Sequence, residues 1–272
     1  MILFSPAKIN IGLQILEKRE DGFHNIRSVM HHTGFCDIIE IRALSEGSTP
    51  FRLSHSGILI DSDPESNLVT RAWHLLSRET ALPPVAIHLH KQIPVGAGLG
   101  GGSSNASIAL EALNHLAPKS LSQERLEELA MCLGSDCPFF LHKDPMLMEG
   151  RGEILSQAQV NLEDFFLVLL FPGIHVSTAE AYAGVHPKIP DIPLEELISK
   201  PADLWKGLIL NDFEEKVGAK YPLIRELKKA LYDAGAQYAS LSGSGSSIYG
   251  IFRERPLLPG ELREYVIWEG AA

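Results

Sequence analysis

The stretch that most constrains this chain is Pro94-Val95-Gly96-Ala97-Gly98-Leu99-Gly100-Gly101-Gly102-Ser103-Ser104-Asn105. Before it, Val85-Ala86-Ile87-His88-Leu89-His90 alternates apolar and polar residues, the period of a half-buried strand. After it, Ala106, Ala109, Leu110, Leu113 and Leu116 recur at helical spacing. The glycines therefore join the end of a strand to the start of a helix. Glycine permits positive φ and close approach of a ligand to the backbone. A helix start offers unpaired N–H groups and the positive end of the macrodipole. The two together describe an anion site, most often for phosphate. No acidic residue occurs from Lys91 to Leu110, although the chain carries a formal net charge of −10. The competing reading is a flexible glycine hinge, which the strand-to-helix placement disfavours.

Two common phosphate loops are excluded. Gly96, Gly98 and Gly101 satisfy G-x-G-x-x-G, but a dinucleotide-binding unit needs a second parallel strand carrying an acidic residue. Here the helix is followed by Pro118, Ser120 and a further helical pattern. A Walker A loop ends in Lys-Ser or Lys-Thr, and no lysine follows these glycines.

At 272 residues, the chain suits one large or two modest domains. Its acidic balance argues against a surface that coats nucleic acid. Cys36, Cys132 and Cys137 form no metal-ligand spacing, and their odd number suits a reducing cytoplasm. No apolar run reaches the roughly 18 residues of a membrane span. Met1-Ile2-Leu3-Phe4 stops at Ser5-Pro6 without a basic segment, unlike a signal sequence.

In chain order, residues 6–16 alternate as a strand, with Lys8, Asn10 and Gln14 on its polar face. Asp21-Gly22 signals a turn, and residues 23–32 return as the partner. Residues 37–43 read as another strand with a hairpin beyond it, then loops at 45–50 and 61–66. A helix is expected over 68–80, with Ser66 or Asn67 as its cap. A further helix runs over 122–133 and ends at Gly134. Asp136 follows in a turn, either as a capping aspartate or as a chemical group. A boundary near residue 160 divides the expected domains into 1–159 and 160–272. Residues 165–171 form an apolar strand and 221–232 an amphipathic helix closed by Gly235. A second glycine loop, Ser242-Gly243-Ser244-Gly245-Ser246-Ser247, lies between two strand-like runs, as a hairpin or a ligand loop. Residues 262–268 leave room for one short element.

Pro94-x-Gly-x-Gly-Leu-Gly-x-x-Ser-Ser resembles the phosphate loop of the GHMP kinases, which phosphorylate small hydroxyl-bearing metabolites. The triple glycine resembles one branch in particular, together with Pro6-Ala7-Lys8-Ile9-Asn10 followed by Asp21-Gly22-Phe23-His24. Its members phosphorylate the 2-hydroxyl of a cytidine diphosphate-linked methylerythritol in the non-mevalonate isoprenoid pathway. Leu133-Gly134-Ser135-Asp136-Cys137-Pro138-Phe139-Phe140 resembles that branch's Leu-Gly-Ala-Asp-Val-Pro-Phe-Phe. The resemblance spans the chain from Pro6 to about Ile251, although the last segment is shorter than usual.

What the resemblance implies is specific. The fold is α+β: an N-terminal domain like ribosomal protein S5 domain 2, and a C-terminal ferredoxin-like α/β sandwich. ATP and Mg²⁺ are the implied cofactors, and the partners are small molecules, with neither nucleic acid nor membrane. The expected state is a monomer or weak homodimer. Asp136 is the implied base, and Lys8 lies beside the acceptor hydroxyl with Asn10 on the same strand face. Residues 94–104, with Asn67 and Lys91, are the implied ATP contacts. His24 reads cytosine and Tyr182 stacks on it, with Thr178 nearby. Phe23 stands where tyrosine is common, which keeps an apolar contact but loses a phenolic hydrogen bond. Gly243, Ser244 and Gly245 close the site from the second domain. Glu149-Gly150-Arg151-Gly152-Glu153 is implied to be a structural turn, with Arg151 within possible reach of phosphate. Asn211-Asp212-Phe213-Glu214 is implied to pack a helix.

Overall fold

A computed structural model describes residues 1–60, 63–183 and 185–272. Asp61 and Ser62, part of the expected 61–66 loop, lie outside the described residues. The elements are, in order, β1 (Ile2–Lys18), β2 (His24–Ala43), β3 (Phe51–Gly57), α1 (Leu68–Glu79), β4 (Val85–Lys91), α2 (Gly101–Leu116) and α3 (Gln123–Leu133). Then follow β5 (Met146–Glu149), β6 (Ile154–Gln157), β7 (Phe166–Leu170), α4 (Thr178–Tyr182), α5 (Leu194–Ile198), α6 (Glu214–Lys220) and α7 (Pro222–Asp233). The chain finishes with β8 (Tyr238–Leu241), β9 (Ile248–Phe252), α8 (Gly260–Arg263) and β10 (Val266–Ala271).

Two compact units interleave along the chain. The first comprises Met1–Ala7, Cys36–Val95 and Gly100–Lys143; the second comprises Lys8–Phe35, Gly96–Leu99 and Asp144–Ala272. The units are not consecutive in sequence, because β1 and β2 each give residues to both.

In the first unit, the C-terminal part of β2 pairs antiparallel with β4, from Ile38↔His90 to Ala43↔Val85. β4 pairs parallel with β3, from Phe51↔Val85 to Gly57↔Lys91. Val85, Ile87 and Leu89 alternate into the core with half-buried Ala86, His88 and His90, the period-two pattern of a strand. They meet Leu76 of α1 and Ala106, Ala109, Leu110 and Leu113 of α2, together with Leu126, Leu129 and Leu133 of α3. Each fully buried Leu or Ile contributes about 1.5–3 kcal/mol over an exposed one, so this layer holds β4 and α2, and hence both ends of the glycine loop.

In the second unit, β10-β7-β9-β8 form a four-stranded antiparallel sheet. α7 lies against it and buries Ile224, Leu227 and Leu231. The N-terminal part of β2 pairs with β5, and β5 with β6. This is the mixed α+β architecture that the sequence implied.

Three elements differ from expectation. The strands expected at 23–32 and 37–43 are one continuous β2. Gly34 marks no break: a Cβ there would sit 2.7 Å from the Trp268 ring, so glycine is required for packing. β3 forms no hairpin with β2 but lies parallel to β4. The C-terminal segment holds both α8 and an edge strand, β10, which completes the second sheet.

Candidate active site

The glycine loop is built from backbone. Gly96, Gly98 and Gly100 have φ of +68°, +79° and +68°, while no non-glycine residue has positive φ. The sign of φ therefore alternates along Gly96-Ala97-Gly98-Leu99-Gly100. Such alternation turns successive N–H groups towards one concave side, a shape that receives anions. Gly100 is the N-cap of α2 and provides no side-chain cap, so the first turn of this helix presents its own donors.

In the second unit, the carbonyls of residues 97–99 are all engaged. Ser247 N donates to Ala97 O (3.0 Å) and Lys8 N to Leu99 O (2.9 Å). Gly98 O accepts from Ser242 Oγ (2.9 Å) and from Lys8 Nζ (3.0 Å). With the carbonyls tied, the peptide planes are fixed. Gly98 itself admits no side chain, since a Cβ would lie 2.1 Å from Ser242 O.

Lys8 is only 4% exposed and also donates to Asn10 Oδ1. Asn10 Nδ2 in turn donates to Ser28 Oγ (2.9 Å), which fixes the amide's orientation. The second glycine loop comes close to this pair: a Cβ on Gly243 would be 3.3 Å from Lys8 Nζ and 3.4 Å from Asn10 Oδ1. Gly243 and Gly245 both have positive φ, and Ser244 between them is half-buried.

Asn211 holds that loop. Its Nδ2 donates to Leu241 O and Gly243 O, each at 2.9 Å, and Glu214 accepts from Leu241 N (2.8 Å) and Ser240 Oγ (3.0 Å). The segment expected only to pack a helix thus anchors the loop. Nothing local in the sequence announces partners thirty residues on.

Aromatic groups collect elsewhere in the second unit. The His24 and Tyr182 rings stack with centroids 5.0 Å apart and planes 19° from parallel. Tyr182 meets Phe213 edge-on at 4.9 Å. Phe23 is 57% exposed, with the Arg151 guanidinium 5.3 Å above its ring. Thr178 is exposed at the first position of α4, whose cap is Ser177.

In the first unit, Asn67 caps α1, its Oδ1 accepting from Val69 N at 2.9 Å. Asp136 lies half-buried in the turn after α3. That turn is fastened to α2 by Ser107 Oγ, which donates to Cys137 O at 2.7 Å. A Cβ on Gly134 would lie 3.5 Å from Cys137 Sγ and 4.0 Å from Ser103 Oγ, both ordinary contact distances. Burial pushes the neighbouring Cys137 thiol up to about 11, which keeps it protonated and inert.

Lys91 is turned inward. It is 3% exposed and paired with fully buried Asp37, and burial draws its ammonium below the ordinary lysine value. Lys91 therefore lies beneath the loop: a Cβ on Gly101 would meet its Nζ at 2.8 Å. Among the described residues, no group of three His, Cys, Asp or Glu side chains could hold a metal ion, and no helix is long and apolar enough to cross a membrane.

The family model "GHMP kinases N terminal domain" matches residues 67–144, and "GHMP kinases C terminal" matches residues 193–259. A protein of Bacteroides fragilis named 4-diphosphocytidyl-2-C-methyl-D-erythritol kinase is 47% identical over 93% of this chain and 92% of its own length. The Bacteroides thetaiotaomicron protein of the same name is 45% identical over 95% and 94%. A solved 4-(cytidine 5'-diphospho)-2C-methyl-D-erythritol kinase superposes with a TM-score of 0.78 at 32% identity, covering 92% of this chain and 90% of that one. Homoserine kinase from Cytophaga hutchinsonii shares the fold, with a TM-score of 0.60 at 20% identity over 92% and 86%.

Proposed function

The chain belongs to the 4-diphosphocytidyl-2-C-methyl-D-erythritol kinases of the GHMP kinase family, and we propose that it transfers the γ-phosphoryl group of ATP to the 2-hydroxyl of that diphosphocytidyl alcohol, in the non-mevalonate route to isoprenoid precursors. The observation that carries the proposal is the alternating backbone of residues 96–100 leading into α2. It offers amide donors to an anion and no side-chain charge, which suits the phosphates of a nucleotide.

Phosphoryl transfer asks for positioning and charge stabilisation rather than covalent participation. We assign the ATP phosphates to the N–H groups of residues 96–103, with the Ser103 and Ser104 side chains at the same helix start. Pro94 and Val95 set the entry to the loop, and Lys91 supports it from below. Asn67 borders the adenine while capping α1. The substrate hydroxyl attacks phosphorus, a new O–P bond forms, and the bond from the γ-phosphorus to the bridging oxygen of ADP breaks. Asp136 receives the hydroxyl proton, a contribution of about 10²–10⁴-fold for a positioned base. Lys8, held by Asn10 and the Gly98 carbonyl, lowers the electrostatic cost of the developing alkoxide. The aromatic group of Phe23, His24 and Tyr182 takes the cytosine, with Thr178 beside it. Gly243, Ser244 and Gly245 close over the substrate near Lys8.

Mg²⁺ is the implied metal. The lack of a three-ligand cluster among the described residues fits an ion carried chiefly on phosphate oxygens and water, as magnesium commonly is. No side chain of this chain is assigned to hold it. When bound, it neutralises phosphate charge. We place the enzyme in the cytoplasm as a monomer or weak homodimer; an odd number of cysteines suits a reducing compartment.

The test is ATP consumption by purified protein with the complete substrate, with the same alcohol lacking its cytidine half, and with Asp136→Asn. The expected result is turnover of the complete substrate alone, lost in Asp136→Asn. Equal turnover of the truncated alcohol would remove the cytosine assignment. Absence of turnover in the wild type would remove the kinase assignment.

A further inference from the structure

Asp37 sits in β2, one residue before the pair Ile38↔His90, and is fully buried. Its two carboxylate oxygens accept four donors. Oδ1 takes Gln92 N (2.6 Å) and Ile93 N (2.9 Å), at the point where β4 gives way to the glycine loop. Oδ2 takes Lys91 Nζ and the Asn105 Nδ2 of α2, the latter at 2.9 Å. Asn105 Nδ2 also donates to Ser5 Oγ (2.9 Å), and Ser5 Oγ bonds Ser104 Oγ at 2.7 Å. A single carboxylate thus joins the strand end before the loop to the helix start after it, both within the first unit.

We propose that Asp37 is a positioning residue for phosphoryl transfer, fixing the separation of the two ends of the phosphate loop. The inference rests on reading residues 94–104 as the site of the ATP phosphates. A loop rich in glycine has little stiffness of its own and loses much conformational freedom when ordered. Its donors are useful only if its ends are held. A buried ion pair contributes little net stability over apolar residues of the same size, so stability gives Asp37 and Lys91 no special advantage here. Geometry does: a carboxylate alone among side chains of this size accepts from two adjacent backbone N–H groups, an ammonium and an amide at once.

The experiment is steady-state kinetics on the full-length Asp37→Asn variant, with ATP and the diphosphocytidyl alcohol varied in turn and folding checked by thermal melting. The asparagine oxygen still accepts from Gln92 N and Ile93 N, whereas its NH₂ group faces the donors of Lys91 and Asn105. The helix start is released while the strands keep their pairing. The expected result is a KM for ATP raised about 10-fold or more, with the KM for the alcohol within about two-fold of wild type. The double exchange Asp37→Asn with Asn105→Asp restores a carboxylate to face Lys91, and is expected to recover most of the ATP KM. A purely structural role would lower the melting temperature and active fraction without separating the two KM values, and that outcome overturns the proposal. So does a folded Asp37→Asn with wild-type KM for ATP. If Asp37→Asn does not fold, Asn105→Ala reads the same link: a rise of about three-fold in the ATP KM supports it, and no change overturns it. A wild-type protein that neither binds nor consumes ATP overturns the reading of the loop itself. An ATP-consuming wild type with an indifferent variant overturns only the role of Asp37.

Discussion

Ser242 Oγ donates to the carbonyl oxygen of Gly98 at 2.9 Å, joining two glycine loops 144 residues apart in sequence. The bond fixes a peptide plane whose opposite face carries an N–H assigned to phosphate. Ser242→Ala leaves the second acceptor bond of Gly98, from Lys8 Nζ, in place. The expected effect is a KM for ATP raised about 3- to 10-fold with little change in melting temperature, since one neutral hydrogen bond contributes about 1 kcal/mol. Substrate-saturation kinetics on the variant checks this.

Gly98→Ala is a harsher probe. The residue has φ of +79°, and the new Cβ would lie 2.1 Å from the backbone oxygen of Ser242. Neither backbone can give way cheaply, so the loop moves. A loss of about 100-fold in kcat/KM for ATP is expected, of the size seen when oriented donors are displaced, with the protein still folded by circular dichroism.

Asn67 separates two roles in one experiment. Its side chain caps α1 through Val69 N, and Asn67→Ser keeps a capping oxygen whereas Asn67→Ala does not. Thermal melting should show a loss of about 1 kcal/mol in Asn67→Ala and little in Asn67→Ser. If Asn67 also borders adenine, both variants raise the KM for ATP; an unchanged KM in Asn67→Ser leaves only the cap.

Acid should loosen the aromatic group. Glu180 of α4 accepts from Lys220 Nζ (2.7 Å) and Tyr221 OH (2.9 Å), and these two bonds, Lys220 first, hold its carboxyl below the ordinary glutamate value. A depressed value means that the folded state binds fewer protons. The stabilisation is therefore present above the ordinary glutamate range and is lost as pH falls through it towards the folded value. Amide protection across residues 178–182 should drop as pH falls from about 5.5 to about 3.5, and Glu180→Gln should show reduced protection at all pH values. Hydrogen exchange across that range is the measurement.

The parts of the site legible in the sequence are those whose chemistry is local. The glycine loop announced itself because positive φ, a strand end and a helix start all leave marks within a dozen residues. Asp136 and Asn67 stood out as polar residues at helix ends. The role of Asp37 did not, because its donors come from residues 91–93 and 105, brought beside it only by the pairing of β2 with β4. Asn211 was expected only to pack a helix for the same reason. Nor was the continuity of β2 through Gly34 legible, since the missing side chain there makes room for Trp268, far off in sequence. β3 was not expected beside β4, since alternation marks a strand but not the direction of its partner.

The alternation of φ from Gly96 to Gly100 has a consequence for how the enzyme responds to its surroundings. Peptide hydrogens neither gain nor lose protons across the range in which a cell lives. A nucleotide held by them, as proposed, would meet the same host at mildly acidic and mildly alkaline pH, so a bell in the rate profile would be traced to the nucleotide's own phosphates or to the acceptor's half of the reaction. The same uncharged donors leave no counter-ion to displace. Added salt should act on the phosphates in solution far more than on the protein that receives them.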